Sequence, residues 1–236
     1  YSQKENKNAG RMLKLSFQDL NEDVLANINR PEIPWDEHKV FIDNFHNKFP
    51  EVELEAEIII GLPGQTKSGF ISQLEKFEEI NISAVRSYFW EILPNSPAFD
   101  PAYQIKFGIQ TKKFLVVEPS AEFDSIDDLN QSIKLGGTGW SQTCYVVENN
   151  SASFAELIQF KLLTNVYRFI RTMSSQMSVK TVMQQLLPAI EKESLRLAEE
   201  VNRTGIMCVY SPARQKIISI DQYLKSQADI KNILSR

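Results

Sequence analysis

Residues 53–66 limit the possible folds more than any other segment. In Glu53-Leu54-Glu55-Ala56-Glu57-Ile58-Ile59-Ile60, Glu53, Glu55 and Glu57 share one face of an extended chain, and Leu54, Ala56, Ile58 and Ile60 share the other. Gly61-Leu62-Pro63-Gly64-Gln65-Thr66 then turns the chain, and Phe70, Leu74 and Phe77 follow at helical spacing. A period of two giving way to a period near 3.6 across a Gly-Pro turn is the signature of a βα unit. The neighbouring segments repeat it. Leu13, Leu15 and Phe17 alternate with Lys14, Ser16 and Gln18, Asn21 is placed to cap a helix through Val24, Leu25 and Ile28, and Ala84 to Leu93 forms another strand before Pro94-Asn95-Ser96-Pro97. Strands at this spacing, joined by helices, predict adjacent parallel strands.

Between the first two strands, Pro31 and Pro34 break the chain, and a helix is expected from Trp35 to Phe49 with Phe41, Phe45 and Phe49 on one face. It carries both histidines, His38 and His46, eight residues apart, which read better as solvated or capping groups than as metal ligands. After Pro101 the rhythm changes. Phe114–Glu118, Cys144–Glu148, Ile206–Tyr210 and Lys216–Ile220 read as short strands. Ser153 and Glu156 form a capping box that opens a long helix through Leu157, Leu162, Val166 and Phe169. A further helix runs from Val179 to Asn202, kinked or broken near Pro188 and stopped by Gly205.

The expected division is therefore 1–11 as a linker or part of an upstream region, 12–100 as an α/β unit, and 101–236 as a mixed, mostly helical α+β region.

Composition narrows the function. Of 236 residues, 26 are basic and 30 acidic, a net charge of -4 with the signs interleaved, so a nucleic-acid partner is not favoured. No apolar run approaches the ~20 residues of a bilayer span, and a cytoplasmic protein without membrane association is expected. The two cysteines, Cys144 and Cys208, exclude a disulfide framework or a self-contained cysteine-ligated metal site.

The candidate site gathers where the strands end. Gly61, Leu62, Pro63 and Gly64 form a strand-to-helix turn at the carboxyl end of a strand, where α/β proteins collect ligands, although the same turn also serves as a tight connection. Glu57 lies four residues upstream on the acidic face, which points into the lumen of a barrel or into water at a sheet edge. Gln18 ends the first strand and Arg30 ends the helix after it. Together they suit an amino-acid-like ligand, Arg30 for a carboxylate and Glu57 for an ammonium or ribose hydroxyls. Tyr88 and Trp90 line either the barrel or its outer helical layer. Gly136-Gly137-Thr138-Gly139-Trp140 reads as a loop, and Asp124-Ser125-Ile126-Asp127-Asp128 as a helix cap rather than a calcium loop.

Three motifs in order, Phe17-Gln18-Asp19-Leu20-Asn21 through Arg30, Glu57 through Thr66, and Leu93-Pro94-Asn95-Ser96-Pro97, resemble the second half of the radical S-adenosylmethionine catalytic domain. The subgroups it most resembles are the cobalamin-dependent enzymes and the group around oxygen-independent coproporphyrinogen dehydrogenase.

The resemblance implies strands four to six of a partial (β/α)6 TIM-like barrel, with Gln18, Arg30 and Glu57 contacting S-adenosylmethionine and the Gly61–Thr66 turn beside it. It also implies a four-iron four-sulfur cluster ligated by a CxxxCxxC loop upstream of residue 1, and cobalamin as a candidate second cofactor. The expected role is that of a catalytic-domain fragment, of oxidoreductase or methyltransferase type. It would work through 5′-deoxyadenosyl radical chemistry on a small-molecule or peptide substrate, with the upstream part of the same polypeptide as its partner, and would be inactive without it. No catalytic residue is identified and no metal ligand lies in this chain. The alternative is a non-enzymatic α/β binding or scaffold module that keeps the turn for packing.

Overall fold

The structure, a computed structural model, describes residues 12–31, 33–172 and 178–226. The expected linker 1–11 lies outside them.

Three strands, β1 (Met12–Gln18), β2 (Glu53–Ile60) and β3 (Ala84–Phe89), form a parallel sheet in the order β1-β2-β3, as the alternating pattern predicts. Helix α1 (Glu22–Asn27) starts at Asn21, whose Oδ1 accepts from the amides of Asp23 and Val24. Helices α2 (Trp35–Lys48) and α3 (Lys67–Glu79) follow, and Phe70, Leu74 and Phe77 of α3 are buried with Leu54, Ala56, Ile58 and Ile60 of β2 in one apolar cluster. Each such side chain removed from water stabilises the fold by roughly 1.5–3 kcal/mol.

Phe41, Phe45 and Phe49 do share one face of α2, their rings following one another at centroid separations of 6.4 and 5.2 Å. Phe41 is 51% and Phe49 39% exposed, Phe45 packs against the core, and Ile42 is wholly buried. One expectation needs correction here. Arg30 does not end a helix. Helix α1 stops at Asn27, and Asn29 turns the chain at a φ of 52° before Arg30.

Strand β3 ends at Phe89 rather than at Leu93, because the chain there changes partners. The Trp90 amide still donates to the Ile60 carbonyl, but the Trp90 carbonyl accepts from Val146, and the Ile92 amide donates to Cys144. This segment joins the first sheet to a second one.

The second sheet comprises β4 (Gln110–Val117), β5 (Glu122–Phe123), β6 (Trp140–Glu148), β7 (Ile206–Ser211) and β8 (Lys216–Ser219), in the order β5-β8-β7-β4-β6. Helix α4 (Pro101–Phe107) leads into it, and α5 (Ile126–Lys134), capped by Ser125 as expected, packs Leu129 against Val117, Phe123 and Cys208.

Helix α6 (Phe154–Thr172) begins at the expected capping box, the Ser153 amide donating to Glu156 Oε2 at 2.8 Å. It is buried on most sides, and its buried residues include the polar Gln159, Lys161, Thr164 and Asn165. It packs on β3, on α3, and on α7 (Val179–Thr204), which runs through Pro188 without a break and ends at left-handed Gly205. Helix α8 (Ile220–Lys225) closes the described chain. The fold is thus α/β: a three-stranded parallel sheet with its helices, followed by a mostly helical α+β region that carries the second, five-stranded sheet.

Ile42→Ala is expected to lower stability by about 2–5 kcal/mol, and Phe41→Ala, one residue away, to change it by no more than about 0.5 kcal/mol. Denaturant unfolding of the two variants distinguishes the buried face of α2 from its exposed stripe.

Candidate functional site

The first sheet has two chemically different faces. Leu13, Leu15, Phe17, Leu54, Ala56 and Ile58 turn toward the helices. On the other face the parallel register sets Lys14 beside Glu55, Ser16 beside Glu57 and Glu57 beside Arg86. Lys14 and Tyr88 are exposed, while Glu55 is 1% exposed. That buried carboxylate is matched by Arg86, whose Nη2 donates to Oε2 at 3.3 Å and whose Nε lies 3.0 Å from Oε1, off hydrogen-bond alignment. A buried charge persists where such a partner is at hand.

Glu57 is held differently. Ser16 Oγ donates to its Oε2 at 3.0 Å, Tyr88 OH donates to Oε1 at 3.3 Å, and Lys14 Nζ stands 3.9 Å away. Arg30 reaches the same place, with Nη2 donating to the Ser16 carbonyl at 3.4 Å. The structure therefore brings Arg30 and Glu57 to one residue, Ser16, from different elements. Gln18 lies two residues further along β1, where the register shifts and its φ is 64°. Tyr88 belongs to this polar face, and burial pushes its hydroxyl above the ordinary phenol range.

The Gly61–Thr66 turn has a different environment. Gly61 and Gly64 have φ of 101° and 95°, left-handed values that favour glycine. Both are pressed against protein: a Cβ on Gly61 would meet Leu157 at 3.4 Å, and one on Gly64 would meet Asn27 Nδ2 at 3.0 Å.

The turn's polar atoms are satisfied from within. Gln65 Oε1 accepts from the amides of Gly61 at 2.8 Å and Leu62 at 3.0 Å, and Gln65 Nε2 donates to Asp19 Oδ2 and to the Ile59 carbonyl, both at 2.7 Å. Asn149 Nδ2 donates to the Gly61 carbonyl, the Gly64 amide donates to Ser151 Oγ, and Asn27 Nδ2 donates to the Pro63 carbonyl. The N-terminus of α3 is capped by Thr66, which accepts from Gly69. The N–H groups of Gly61, Leu62 and Gly64 are therefore already bonded within the protein.

Asp19 was not singled out from sequence, yet it is 4% exposed and links Gln65 to the Asn21 amide. Burial raises its carboxyl above the ordinary 3.8, outweighing the hydrogen bond from Gln65 that lowers it. The available signal was its position: an acid next to the last residue of a strand, ahead of an Asn cap.

The cysteines do not assemble a cluster site. Cys144 lies on β6 and Cys208 on β7, and β4 runs between those strands. Cys208 is buried, which pushes its thiol up to about 12. Among the described residues no three His, Cys, Asp or Glu side chains gather as a metal site. Among them, too, no helix is long and apolar enough to cross a membrane.

No protein-family model matches the chain. It is similar to several curated proteins named tRNA-2-methylthio-N(6)-dimethylallyladenosine synthase. One from Ehrlichia chaffeensis is 23% identical over 158 residues, covering 59% of this chain and 36% of that protein. Others are from Serratia proteamaculans, 28% identical over 97 residues covering 41% and 19%, and Pectobacterium atrosepticum, 30% identical over 64 residues covering 27% and 14%. The chain thus spans about a third or less of the length of these relatives. Among solved structures, a coproporphyrinogen III oxidase from Escherichia coli, described as a radical SAM enzyme, is 14% identical with a TM-score of 0.35, covering 96% of this chain and 64% of that one.

Two variants test the hub beneath the site. Gln65→Ala removes the partner of two buried amides and is expected to cost about 2–4 kcal/mol at neutral pH. The Asp19 carboxyl binds its proton more tightly folded than unfolded, so its contribution to stability falls as pH rises through 3.8 toward the folded value. Subtracting the stability-versus-pH curve of Asp19→Asn from that of the unaltered protein, both from urea unfolding, is expected to give a difference that declines with pH over that interval.

Proposed function

We propose that this chain is the second half of the catalytic barrel, with its C-terminal region, of a radical S-adenosylmethionine enzyme, the superfamily that the sequence similarities support. The observation that carries the proposal is the meeting of Arg30 and Glu57 at Ser16 on the polar face of a parallel sheet. That face offers a guanidinium for the methionyl carboxylate and a carboxylate for the ammonium or ribose hydroxyls. Gln18 lies two residues further along β1, and the Gly61–Gly64 turn, its amides bonded within the protein, would lie beside the cofactor, held in shape by Gln65. Tyr88 and Ser16 orient the Glu57 carboxylate, and Lys14, 3.9 Å away, offsets part of its charge.

When bound beside a four-iron four-sulfur cluster, S-adenosylmethionine supplies 5′-deoxyadenosyl radical chemistry. The cysteines needed for that cluster must come from elsewhere, since this chain has only Cys144 and Cys208, on separate strands. A completing upstream half also accounts for the open side of the sheet. Among the described residues β1 pairs only with β2, and α2 leaves Val40 and Phe41 60% and 51% exposed. Cobalamin and a cytoplasmic location rest on the family resemblance and composition alone. The relatives' names concern a tRNA, but the interleaved charge and net -4 of this chain favour a small-molecule or peptide substrate over RNA.

In the intact protein, Arg30→Ala and Glu57→Gln are each expected to weaken S-adenosylmethionine binding about 10- to 100-fold, the loss of one charge-assisted contact. Their melting temperatures should move far less than that of Gln65→Ala, because Arg30 is exposed and Glu57→Gln keeps an acceptor for Ser16. Calorimetric titration with melting curves in parallel checks both. Unchanged affinity with lowered melting points would favour the module that uses these residues only for packing.

A further inference from the structure

A cleft of about 560 Å³ opens between the end of β3 and the second sheet, a size typical of small-molecule sites. It adjoins the Arg30–Glu57 cluster through Tyr88, whose hydroxyl donates to Glu57, and the crossing of Trp90 to Ile92 onto β6 forms one wall. Tyr88, Phe89, Trp90 and Tyr145 supply aromatic surface. Lining it is Lys161, a charged residue between Phe160 and Leu162 in the middle of α6 and only 3% exposed. Its ammonium donates to the Ser87 carbonyl and pairs with Asp221 at 3.1 Å.

The charge lining this cleft does not cancel. Asp221 is matched by Lys161 and, at 3.9 Å, by Lys225, but Glu91 and Glu118 also line the cleft, and among the described residues neither forms an ion pair with a Lys or Arg. Two carboxylates are thus left without a cationic partner. Tyr145 registers the same field: its hydroxyl is pushed up to about 12 by burial, and then by the negative charge of Asp221, Glu91 and Glu118. An anionic ligand would meet repulsion here. A cation is favoured twice, by the two unmatched carboxylates and by the aromatic faces beside them.

We infer that this cleft binds a small organic cation with an apolar or aromatic body, of the alkylamine or arylalkylamine class, its ammonium directed to Glu91 and Glu118 and its body against Trp90 and Tyr145. Assigning that molecule as the substrate rests on the radical S-adenosylmethionine reading. Binding itself needs only the cleft. The Lys161–Asp221 pair anchors α8 to α6, which fixes the floor of the cleft and keeps Asp221 from competing for the ligand's charge.

The probe is phenethylamine, with 3-phenylpropionate as the anion of similar shape, titrated into the intact protein without S-adenosylmethionine and followed by calorimetry and ligand-observed magnetic resonance. The amine is expected to bind at least tenfold more tightly than the carboxylate. Glu91→Gln combined with Glu118→Gln should weaken the amine at least tenfold while leaving S-adenosylmethionine affinity unchanged, and Trp90→Ala should weaken it as well. Arg30→Ala should leave amine binding intact, so a failure of the cofactor proposal and a failure of this one are separable. No amine binding, equal binding of the two probes, or an amine affinity indifferent to the paired substitution would each overturn the inference.

Discussion

Gln65 uses its whole amide. The oxygen accepts from two consecutive backbone amides of the turn, and the nitrogen donates to Asp19 and to the carbonyl of Ile59. One side chain thereby ties the end of β1 to the end of β2 and fixes the turn before α3. Neutral-to-neutral hydrogen bonds contribute only about 1 kcal/mol each in net terms, but leaving buried donors unmade costs more, so the arrangement is enforced chiefly by the penalty for losing it. Asn149 and Ser151 brace the same turn from the far side of the sequence, so the C-terminal region buttresses the barrel portion where the candidate ligand residues converge.

That bracing explains the division of labour around the site. The glycines provide close approach, but to Leu157, Val24 and Asn27 rather than to a ligand. The open chemistry lies on the adjacent sheet face, where Ser16 connects Arg30 with Glu57, and in the cleft that the second sheet forms against Tyr88 and Trp90. Helix α6 serves both regions. Its Phe160 stacks on Phe70 of α3 at 4.6 Å, and its neighbour Lys161 supports the floor of the cleft.

Much of this was legible in the sequence wherever a local rule dominates. Asn21, Ser125 and the Ser153–Glu156 pair act as caps because each is set by residues two or three apart, and the parallel order of the first three strands follows from their spacing. What escaped depends on distant partners. The Phe41–Phe45–Phe49 stripe has helical periodicity, but only Phe45 of it packs against the core, while Ile42 is the wholly buried residue of the helix. The change of partner at Trp90 requires β6, more than fifty residues on, and the pairing of Lys161 with Asp221 joins helices 60 positions apart. A lone Lys amid Phe160, Leu162 and Leu163 was the one visible sign of a buried charge. At the site, Gln18, Arg30 and Glu57 could be singled out from their places at the strand and helix ends, with the resemblance adding the ligand, whereas the meeting of Arg30 and Glu57 at Ser16 needed the register of β1 with β2 and the turn that carries Arg30 beyond the helix.

The central claim is that the first sheet is half of a barrel whose polar face becomes a lumen when another segment pairs with the free edge of β1. Amide hydrogen exchange tests this directly, by comparing residues 12–18 in the 236-residue chain and in the intact protein. The amides of β1 that point away from β2 should exchange freely in the isolated chain and become protected by at least a hundredfold in the intact protein, while those bonded to β2 change little. Equal exchange of the outward amides in both would contradict the account, because it would leave β1 as a true edge and the Arg30–Glu57 face on an open surface.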